Sequence, residues 1–433
     1  MKSLIIFLLA LSLIACSSCE KEEEPDVIEA PTADEIARDA LYNTMKTYYL
    51  WDKLMPVVTK EDYPGPYELL EAMRYKELDR WSYVQEYDDY IAQSQAIFVG
   101  HGIRIGLDNT NKTRIAQIYN KSPMYAFGVR RGWIIKKLNG TDLAPVFIAG
   151  DGAAYSALIG PSEAGVTNTF LFETPEGKDS TITTTKSKFI LNTVIHYDTL
   201  VLKTGVTGHL VFEQFVEPSN AELQTAFTFF KQNNINNIIV DLRYNGGGDI
   251  TVLQNLAAYI AGSSQFAKPF LNFKHNEQQS ARNKTYFFST VAAPVSVTKM
   301  VAITTRSTGS ASEDLINGLL PFMEVTTIGD TTNGKPVGMY GFEHNKAYFF
   351  WPIAFELENI NGEGDFYEGF APEKYVPDDI TYDWGNRNEA CLKEAIYYLE
   401  NGSVSSKGFY NYKRSVQFTE SPLRSNNAYL IVK

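Results

Sequence analysis

The sequence has few of the residues that build disulfide frameworks, metal centres or nucleic-acid-binding surfaces. Its only cysteines are Cys16, Cys19 and Cys391, so no framework of disulfides is available to stabilise the chain. The formal net charge is −12, which argues against nucleic acid or an anionic membrane surface as the main partner, because both require basic residues. The five histidines are scattered along the sequence, and their spacing predicts no metal site.

Long hydrophobic runs are also scarce. The run Leu4–Ala15 follows Lys2 and is too short for a lasting transmembrane helix, so it is typical of a secretory signal. The sequence Leu13-Ile14-Ala15-Cys16 resembles the bacterial lipobox, and this resemblance implies that the signal peptide (1–15) is removed and that Cys16 carries a lipid; the alternative is a cysteine that only lies near a signal end. An acidic tether would follow (16–32). We expect a lipid-anchored protein in the cell envelope of a Gram-negative-type bacterium, facing the periplasm or the cell surface.

The length of 433 residues predicts several domains of mixed α/β type. Ala37, Leu41, Met45 and Tyr48 share one face of a helix that Asp34 is expected to cap, which indicates a helical domain over 33–94. Short β-rich runs follow over 95–187, and alternating strands and helices over 188–400. The last part, 401–433, is predicted as a linker with an edge strand over 428–432.

The run from Ser122 to Gly140 resembles the PDZ domain of bacterial proteases, in which an extended C-terminal peptide is added to a sheet edge. This resemblance implies that a glycine turn holds the carboxylate of the peptide. By position, that turn is formed by Gly100, His101, Gly102 and Ile103. The alternative is a small β-domain that only supports its neighbour.

A glycine run, Gly246-Gly247-Gly248, lies between a predicted buried strand ending near Leu242 and a predicted helix. Glycines at such a position let backbone N–H groups approach an oxyanion closely, because no Cβ intervenes. A plain tight turn would give the same pattern. The residues by themselves leave both interpretations open.

Ser310 and Lys335 form the most informative pair. Ser310-Ala311-Ser312-Glu313 matches a helix capping box. Lys335 lies in a glycine loop with the pattern Gly-x-x-x-x-Gly-Lys, which is also found in phosphate-binding loops. The next residue is Pro336, where such a loop needs Ser or Thr, so the pattern does not indicate a phosphate site. A buried lysine with a lowered pKa can also activate a serine hydroxyl. The two residues are therefore either a cap and a surface charge, or a nucleophile and its base.

The ordered motifs resemble those of the C-terminal processing (tail-specific) serine protease family. They are the PDZ-like run, Asp241 to Gly248, Gly309 to Glu313, and Gly334-Lys335, within about residues 95–385. The resemblance implies an α/β core of the ClpP/crotonase-like type, with Ser310 as nucleophile, Lys335 as base 25 residues later, and no cofactor. Backbone N–H groups of Gly247, Gly248 and Ala311 would form the oxyanion hole.

One position departs from the family pattern. Met339 stands where members often have a glutamine that orients the lysine, so Glu313 or Asp314 are considered for that role. A related branch uses histidine as base, which leaves His209 or His344 as alternatives. We predict an exported, lipid-anchored serine endopeptidase that recognises extended or C-terminal polypeptide segments. The rival hypothesis is a non-catalytic peptide- or ligand-binding lipoprotein with a protease-derived fold.

Overall fold

The computed structural model describes residues 30–406, together with the backbone of two short strands over 417–419 and 429–432. The predicted signal peptide, Cys16 and the tether up to residue 29 lie outside the described residues. In the described part, no helix combines the length and apolar character needed to cross a membrane.

The N-terminal segment contains the predicted helices and one strand. Its elements are α1 (Ala33–Tyr48), α2 (Pro66–Met73), β1 (Tyr83–Glu86) and α3 (Tyr87–Ser94). The prediction that Asp34 caps α1 is wrong. Thr32 is the N-cap: its side chain accepts a hydrogen bond from the Glu35 amide, and the Glu35 carboxylate accepts one from the Thr32 amide. Asp34 lies instead in the first turn, where an acidic side chain also favours a helix.

The β-rich segment follows as an antiparallel sheet with two short helices. Its elements are β2 (Ile97–Gly100), β3 (Ile103–Leu107), β4 (Thr113–Ile118), β5 (Ile134–Leu138), β6 (Thr141–Asp142), α4 (Ala144–Ala149), α5 (Gly152–Ile159), β7 (Thr167–Glu173), β8 (Asp179–Thr185) and β9 (Ser187–Ile190). The strand order is β3-β4-β5-β7-β8, and β2 pairs with β9 in a separate ribbon. Apolar side chains such as Ile105, Leu138 and Phe170 form a core of its own.

The third segment alternates strands and helices. Its elements are β10 (Val194–Leu202), β11 (Gly205–Phe212), α6 (Ser219–Gln232), β12 (Asn237–Asp241), β13 (Gly247–Asp249), α7 (Ile250–Ala261), β14 (Pro269–His275), β15 (Lys284–Phe287), β16 (Lys299–Thr304), α8 (Ala311–Leu319), β17 (Glu324–Gly329), β18 (Val337–Tyr340), β19 (Phe342–His344), β20 (Tyr348–Trp351), β21 (Ile353–Asn359), β22 (Lys374–Tyr375), α9 (Ala390–Asn401), β23 (Gln417–Thr419) and β24 (Tyr429–Val432).

The central sheet has the order β10-β11-β12-β16-β17-β22 and is parallel from β11 onward. Alternate residues of β12 point to opposite faces: Ile238 and Val240 join the core with α6, α7 and α8, whereas Ile239 joins the core with α9. Helices therefore cover both faces, which explains the continuously apolar sequence of β12. The carboxyl ends of β12, β16 and β17 lie at one edge of this sheet, where crossover loops of α/β folds hold ligands.

A second sheet has the order β13-β24-β18-β21-β14-β15. Tyr429–Val432 forms a strand, as predicted, but the prediction of an edge strand is wrong. The strand lies in the interior, parallel to both β13 and β18. Ala428, the first residue of the predicted strand, lies outside the described residues.

The N-terminal segment shares a core with the strands that follow Lys335. Leu41 and Met45 of α1 belong to the same buried cluster as Val337, Met339 and Trp351. Strand β1 also pairs with β20, which places Tyr83 opposite Trp351. The segment therefore supports the loop that carries Lys335.

Candidate active site

Three neighbouring parallel strands carry the predicted site residues at their carboxyl ends. The glycine run 246–248 follows β12, Ser310 follows β16, and Lys335 follows β17. Because the ends of parallel strands meet at one sheet edge, residues far apart in the sequence converge there. The topology thus brings together three motifs that the sequence shows only in order.

Ser310 lies at the turn between β16 and α8 in an unusual backbone conformation, with φ 54° and ψ −119°. A positive φ is strained for a residue with a side chain, costing on the order of 1–3 kcal/mol, and such strain is typical of functional turns. The side chain is buried, and among the described residues its Oγ has no hydrogen-bond partner. Ser310 is the N-cap of α8, and its amide donates to the Glu313 carboxylate as in the capping box that the sequence predicts.

The turn that carries Ser310 is attached to the loop after β12. The backbone oxygen of Asn245 accepts hydrogen bonds from the Gly309 amide and from the Ser312 hydroxyl, both at 3.1 Å. The Thr308 hydroxyl donates to the Leu242 backbone oxygen at 2.8 Å. These bonds fix the serine turn against the glycine run.

Glu313 connects Ser310 to the lysine loop. Its Oε2 accepts the backbone amides of Ser310 and Lys335 at 2.8 and 2.9 Å. Its Oε1 accepts the Gly334 amide and the Thr332 hydroxyl, both at 2.6 Å. The side chain is fully buried. Burial raises the pKa of its carboxyl, although the four hydrogen bonds act to lower it. The capping residue predicted from the sequence therefore also holds the two loops together.

Lys335 is fully buried. Burial disfavours the charged amine and lowers its pKa to about 7. Nearby carboxylates favour the charged amine and oppose this shift, and Asp79 has the largest opposing effect. A substantial fraction of the amine is therefore neutral near neutral pH, which is the state that can accept a proton. The expectation of a surface charge is excluded by this burial.

Two acidic residues near Lys335 bear on the question raised by Met339. Met339 is buried in the core shared with the N-terminal segment. Asp79, which sequence reasoning missed, accepts hydrogen bonds from the Tyr49 hydroxyl and from two backbone amides, and it belongs to the N-terminal segment. Only the fold brings this residue near Lys335, so the sequence contained no signal for it.

Asp314 is the second of these residues. It is fully buried, and neither carboxyl oxygen has a hydrogen-bond partner among the described residues. Burial and the neighbouring Glu313 raise the pKa of Asp314 well above its usual range. A protonated Asp314 is thus an uncharged neighbour that can donate a hydrogen bond.

The candidate oxyanion donors differ in availability. The Gly247 amide donates to Asn245 Oδ1 at 2.9 Å, so this N–H already has an acceptor. Gly248 has φ +142°, and a Cβ there would lie 2.0 Å from the Phe215 backbone oxygen, so only glycine fits. The N–H of Ala311 begins α8 and has no acceptor within its helix. Of the three predicted donors, Gly247 therefore already has an acceptor, and Gly248 lies in β13, whose backbone pairs with β24.

The turn predicted to hold a peptide carboxylate is closed. Gly100, His101, Gly102 and Ile103 are all buried. His101 Nε2 lies 2.7 Å from Asn168 Oδ1, and burial lowers its pKa to about 4. The neighbouring strand β3 has a paired edge, because β23 lies antiparallel along it.

The histidines considered as alternative bases bond elsewhere. His209 Nδ1 lies 3.1 Å from Asp198 Oδ1, and His344 Nε2 lies 3.2 Å from Asn345 Nδ2. Neither forms a hydrogen bond with Ser310, whose hydroxyl has no partner in the described part of the chain. That hydroxyl has no hydrogen bond with Lys335 either, so its contacts do not distinguish lysine from histidine as the base.

Two parts of this chain match family models of known peptidases. A model of "Peptidase family S41" matches residues 206–351, and a model of "Peptidase S41 N-terminal domain" matches residues 37–83. These two parts of the chain are similar to peptidase family S41, which confirms the resemblance to the C-terminal processing serine proteases.

Two known proteins share this similarity. The carboxy-terminal processing protease CtpB of Bacillus subtilis (strain 168) is 24% identical over 243 residues, which cover 55% of this chain and 47% of the relative. The match thus spans about half the length of that curated relative. The crystal structure of a candidate S41 protease from Bacteroides fragilis NCTC 9343 superposes with a TM-score of 0.69 and 21% identity, covering 84% of this chain and 97% of that one. This likeness confirms the mixed α/β fold.

Proposed function

We propose that this chain is a serine endopeptidase that cleaves polypeptides with a Ser310–Lys335 dyad. The observation that carries the proposal is the shared carboxylate of Glu313, which binds the backbone on both sides of the dyad. It holds a buried lysine with a pKa of about 7 beside the turn of a serine whose hydroxyl has no hydrogen-bond partner in the described part.

In the proposed reaction, the neutral Lys335 amine accepts the proton of Ser310 Oγ as the oxygen attacks the scissile carbonyl carbon. The carbonyl π electrons move to the oxygen, and the N–H groups of Gly248 and Ala311 stabilise the resulting negative charge. The lysine ammonium then returns the proton to the leaving amine as the peptide C–N bond breaks. Water completes the cycle by hydrolysing the acyl-serine, with Lys335 again as base.

The substrate would bind as an extended strand. The slot between β13 and β18 accepts one strand in parallel pairing, since β24 pairs with both. Gly248 of β13 borders this slot on one side. Strand β18, which begins two residues after Lys335, borders it on the other. Peptide capture by the β-rich segment would use the edge of β3 rather than the buried turn at 100–103.

The predicted lipid anchor at Cys16 is part of the proposal. Leu4–Ala15 and the residues of the lipobox support it. In cells of a Gram-negative host, the parent should partition into detergent and the Cys16→Ala variant into the aqueous phase. Equal partitioning of both proteins would refute the anchor without affecting the peptidase.

An activity-based fluorophosphonate probe tests the dyad. We expect covalent labelling of the parent, no labelling of Ser310→Ala, and strongly reduced labelling of Lys335→Met. Ser180→Ala and Lys188→Met serve as matched controls, because both residues lie in the β-rich segment. A parent that neither labels nor cleaves an unstructured protein, yet binds peptides, would favour the non-catalytic lipoprotein. Normal labelling of Lys335→Met would transfer the role of base to another residue.

A further inference from the structure

A second cluster of titratable side chains lies on β10 and β11, outside the candidate active site. His196 and Asp198 are two residues apart in β10 and therefore point to the same face of the sheet. Asp198 lies directly opposite His209 of β11 in the antiparallel register. The two histidines that seemed unrelated in the sequence are thus neighbours, with a carboxylate between them.

Two distances within this cluster are close to those between the ligand atoms of a metal site. Asp198 Oδ1 lies 3.1 Å from His209 Nδ1, and Oδ2 lies 3.4 Å from His196 Nε2. All three ligand atoms lie within 4.8 Å of one another. Ligand atoms around a tetrahedral zinc ion, with bonds of about 2.0–2.2 Å, are roughly 3.3–3.6 Å apart. Small side-chain adjustments would complete the coordination.

Two further observations point to a ligand. His209 is 1% exposed, and the buried Nε2 of His196 has no hydrogen-bond partner among the described residues. In addition, Gly385 places its backbone over the cluster: a Cβ there would lie 2.8 Å from His196 Nε2 and 2.9 Å from Asp198 Oδ2. A glycine at this position keeps open the space next to the ligand atoms.

Two imidazoles and a carboxylate suit zinc, and three protein ligands leave a fourth position for water.

We propose that His196, Asp198 and His209 bind one zinc ion. The site would fasten the turn around Gly385 to the outer strands of the central sheet. The residue before Gly385 is Trp384, and the Arg131 guanidinium of the β-rich segment lies 3.9 Å from its ring centroid. A zinc ion here would therefore stiffen the connection between the β-rich segment and the sheet that carries Ser310.

Zinc titration of the chelator-treated full chain tests this site, with calorimetry and thermal melting as readouts. We expect one zinc ion per chain and a higher melting temperature in its presence. His196→Asn and Asp198→Asn should weaken binding at least tenfold, and His344→Asn should not. Gly385→Ala should also weaken binding, because its Cβ enters the site. No uptake by the parent, or equal uptake by His196→Asn and the parent, would overturn the proposal.

A different observation concerns the strands beyond residue 406. Strand β23 lies antiparallel along the edge of β3, with Phe418 opposite Ile105. Strand β24 fills the slot between β13 and β18, with Leu430 opposite Gly248 and Ile431 opposite Met339. Two parts of one segment thus lie at both edges where the proposed function places a substrate polypeptide.

We infer that this C-terminal segment is an intramolecular ligand of the substrate path and restrains the peptidase. The inference rests on the proposed function. Main-chain hydrogen bonds of β24 compete with those of a substrate strand, since a sheet edge pairs with one strand at a time. A substrate must therefore displace β24 before it reaches Gly248.

The test compares the full chain with a chain that ends at residue 406. We expect faster fluorophosphonate labelling and faster peptide cleavage by the shortened chain. Leu430→Pro, which removes a backbone N–H from β24, should act in the same direction, whereas Leu430→Val should not. Equal rates, or a loss of activity in a folded shortened chain, would overturn the inference and leave the peptidase function standing. Absence of labelling in both chains would instead refute the proposed function.

Discussion

The backbone amides of Ser310 and Lys335 donate to the same oxygen of Glu313, at 2.8 and 2.9 Å. A single buried carboxylate therefore sets the position of the proposed nucleophile relative to its base. The position of the dyad, its chemistry and the stability of the fold can each be changed by different substitutions.

Glu313→Gln should lower kcat strongly and leave KM nearly unchanged. The Glu313 carboxylate accepts four hydrogen bonds. The amide nitrogen of a glutamine cannot accept any of them and would face other donors, so we expect the two loops to separate. We expect a loss of about 10²-fold or more, as for other misplaced catalytic groups. Steady-state kinetics check this result. Glu343→Gln, in β19, is the control. Unchanged kcat would show that Glu313 does not position the dyad.

The pH dependence of kcat/KM should report Lys335. Its pKa is about 7, and only the neutral amine accepts a proton. The rate should rise about tenfold per pH unit below that value and level off above it. Lys335→Arg, which stays charged, should lose about 10²–10⁴-fold at all pH values tested. A rate that stays constant between pH 5 and 9 would contradict the assignment.

Asp79→Asn should shift the acidic limb of this profile to lower pH. Asp79 is the carboxylate with the largest effect in raising the pKa of Lys335, so its removal destabilises the ammonium further. The variant also loses acceptor strength for the Tyr49 hydroxyl and is expected to be less stable by about 1–3 kcal/mol. pH profiles and denaturant unfolding measure the two effects. Asp62→Asn, in a short exposed turn, should change neither.

Lys335→Met should stabilise the protein while inactivating it. The pKa of Lys335 is about 7 in the folded chain and about 10.5 in the unfolded chain. Between these two pH values the unfolded chain binds more protons, so the free energy of unfolding of the parent rises with pH. The cost of burying the ammonium is thus greatest below pH 7. Melting temperatures of variant and parent should differ most near pH 6 and converge near pH 10. A variant that melts lower at pH 6 would contradict this prediction.

Gly248→Ala should abolish activity and destabilise the chain. The Cβ would lie 2.0 Å from the Phe215 backbone oxygen, which forces the glycine run away from Ser310. Loss of one oxyanion donor alone costs about 10²–10³-fold in kcat. Gly128→Ala is the matched control, because a Cβ there meets no atom within 4 Å. Near-normal kcat in Gly248→Ala would remove this residue from the oxyanion hole.

Several features of this protein were determined by the sequence itself. The apolar run of β12, the helix signal at Ser310 to Glu313 and the glycine loop at Lys335 are local patterns, and each forms the element that its residues predict. Their order along the chain predicted the family, because motif order and spacing do not depend on tertiary contacts. Helix capping was less certain, since Thr32 and Asp34 are both good N-caps and only the geometry selected Thr32.

The tertiary structure decided everything that depends on distance. Asp79 acts on Lys335 from another segment, because α1 and α2 pack on the strands after the lysine loop. His196 and His209 meet because β10 and β11 pair in antiparallel register. The pKa of Lys335 is a consequence of its complete burial, which no local pattern specifies. The local sequence determined the helices, the strands and the candidate site residues. Long-range packing determined which of those residues lie near one another.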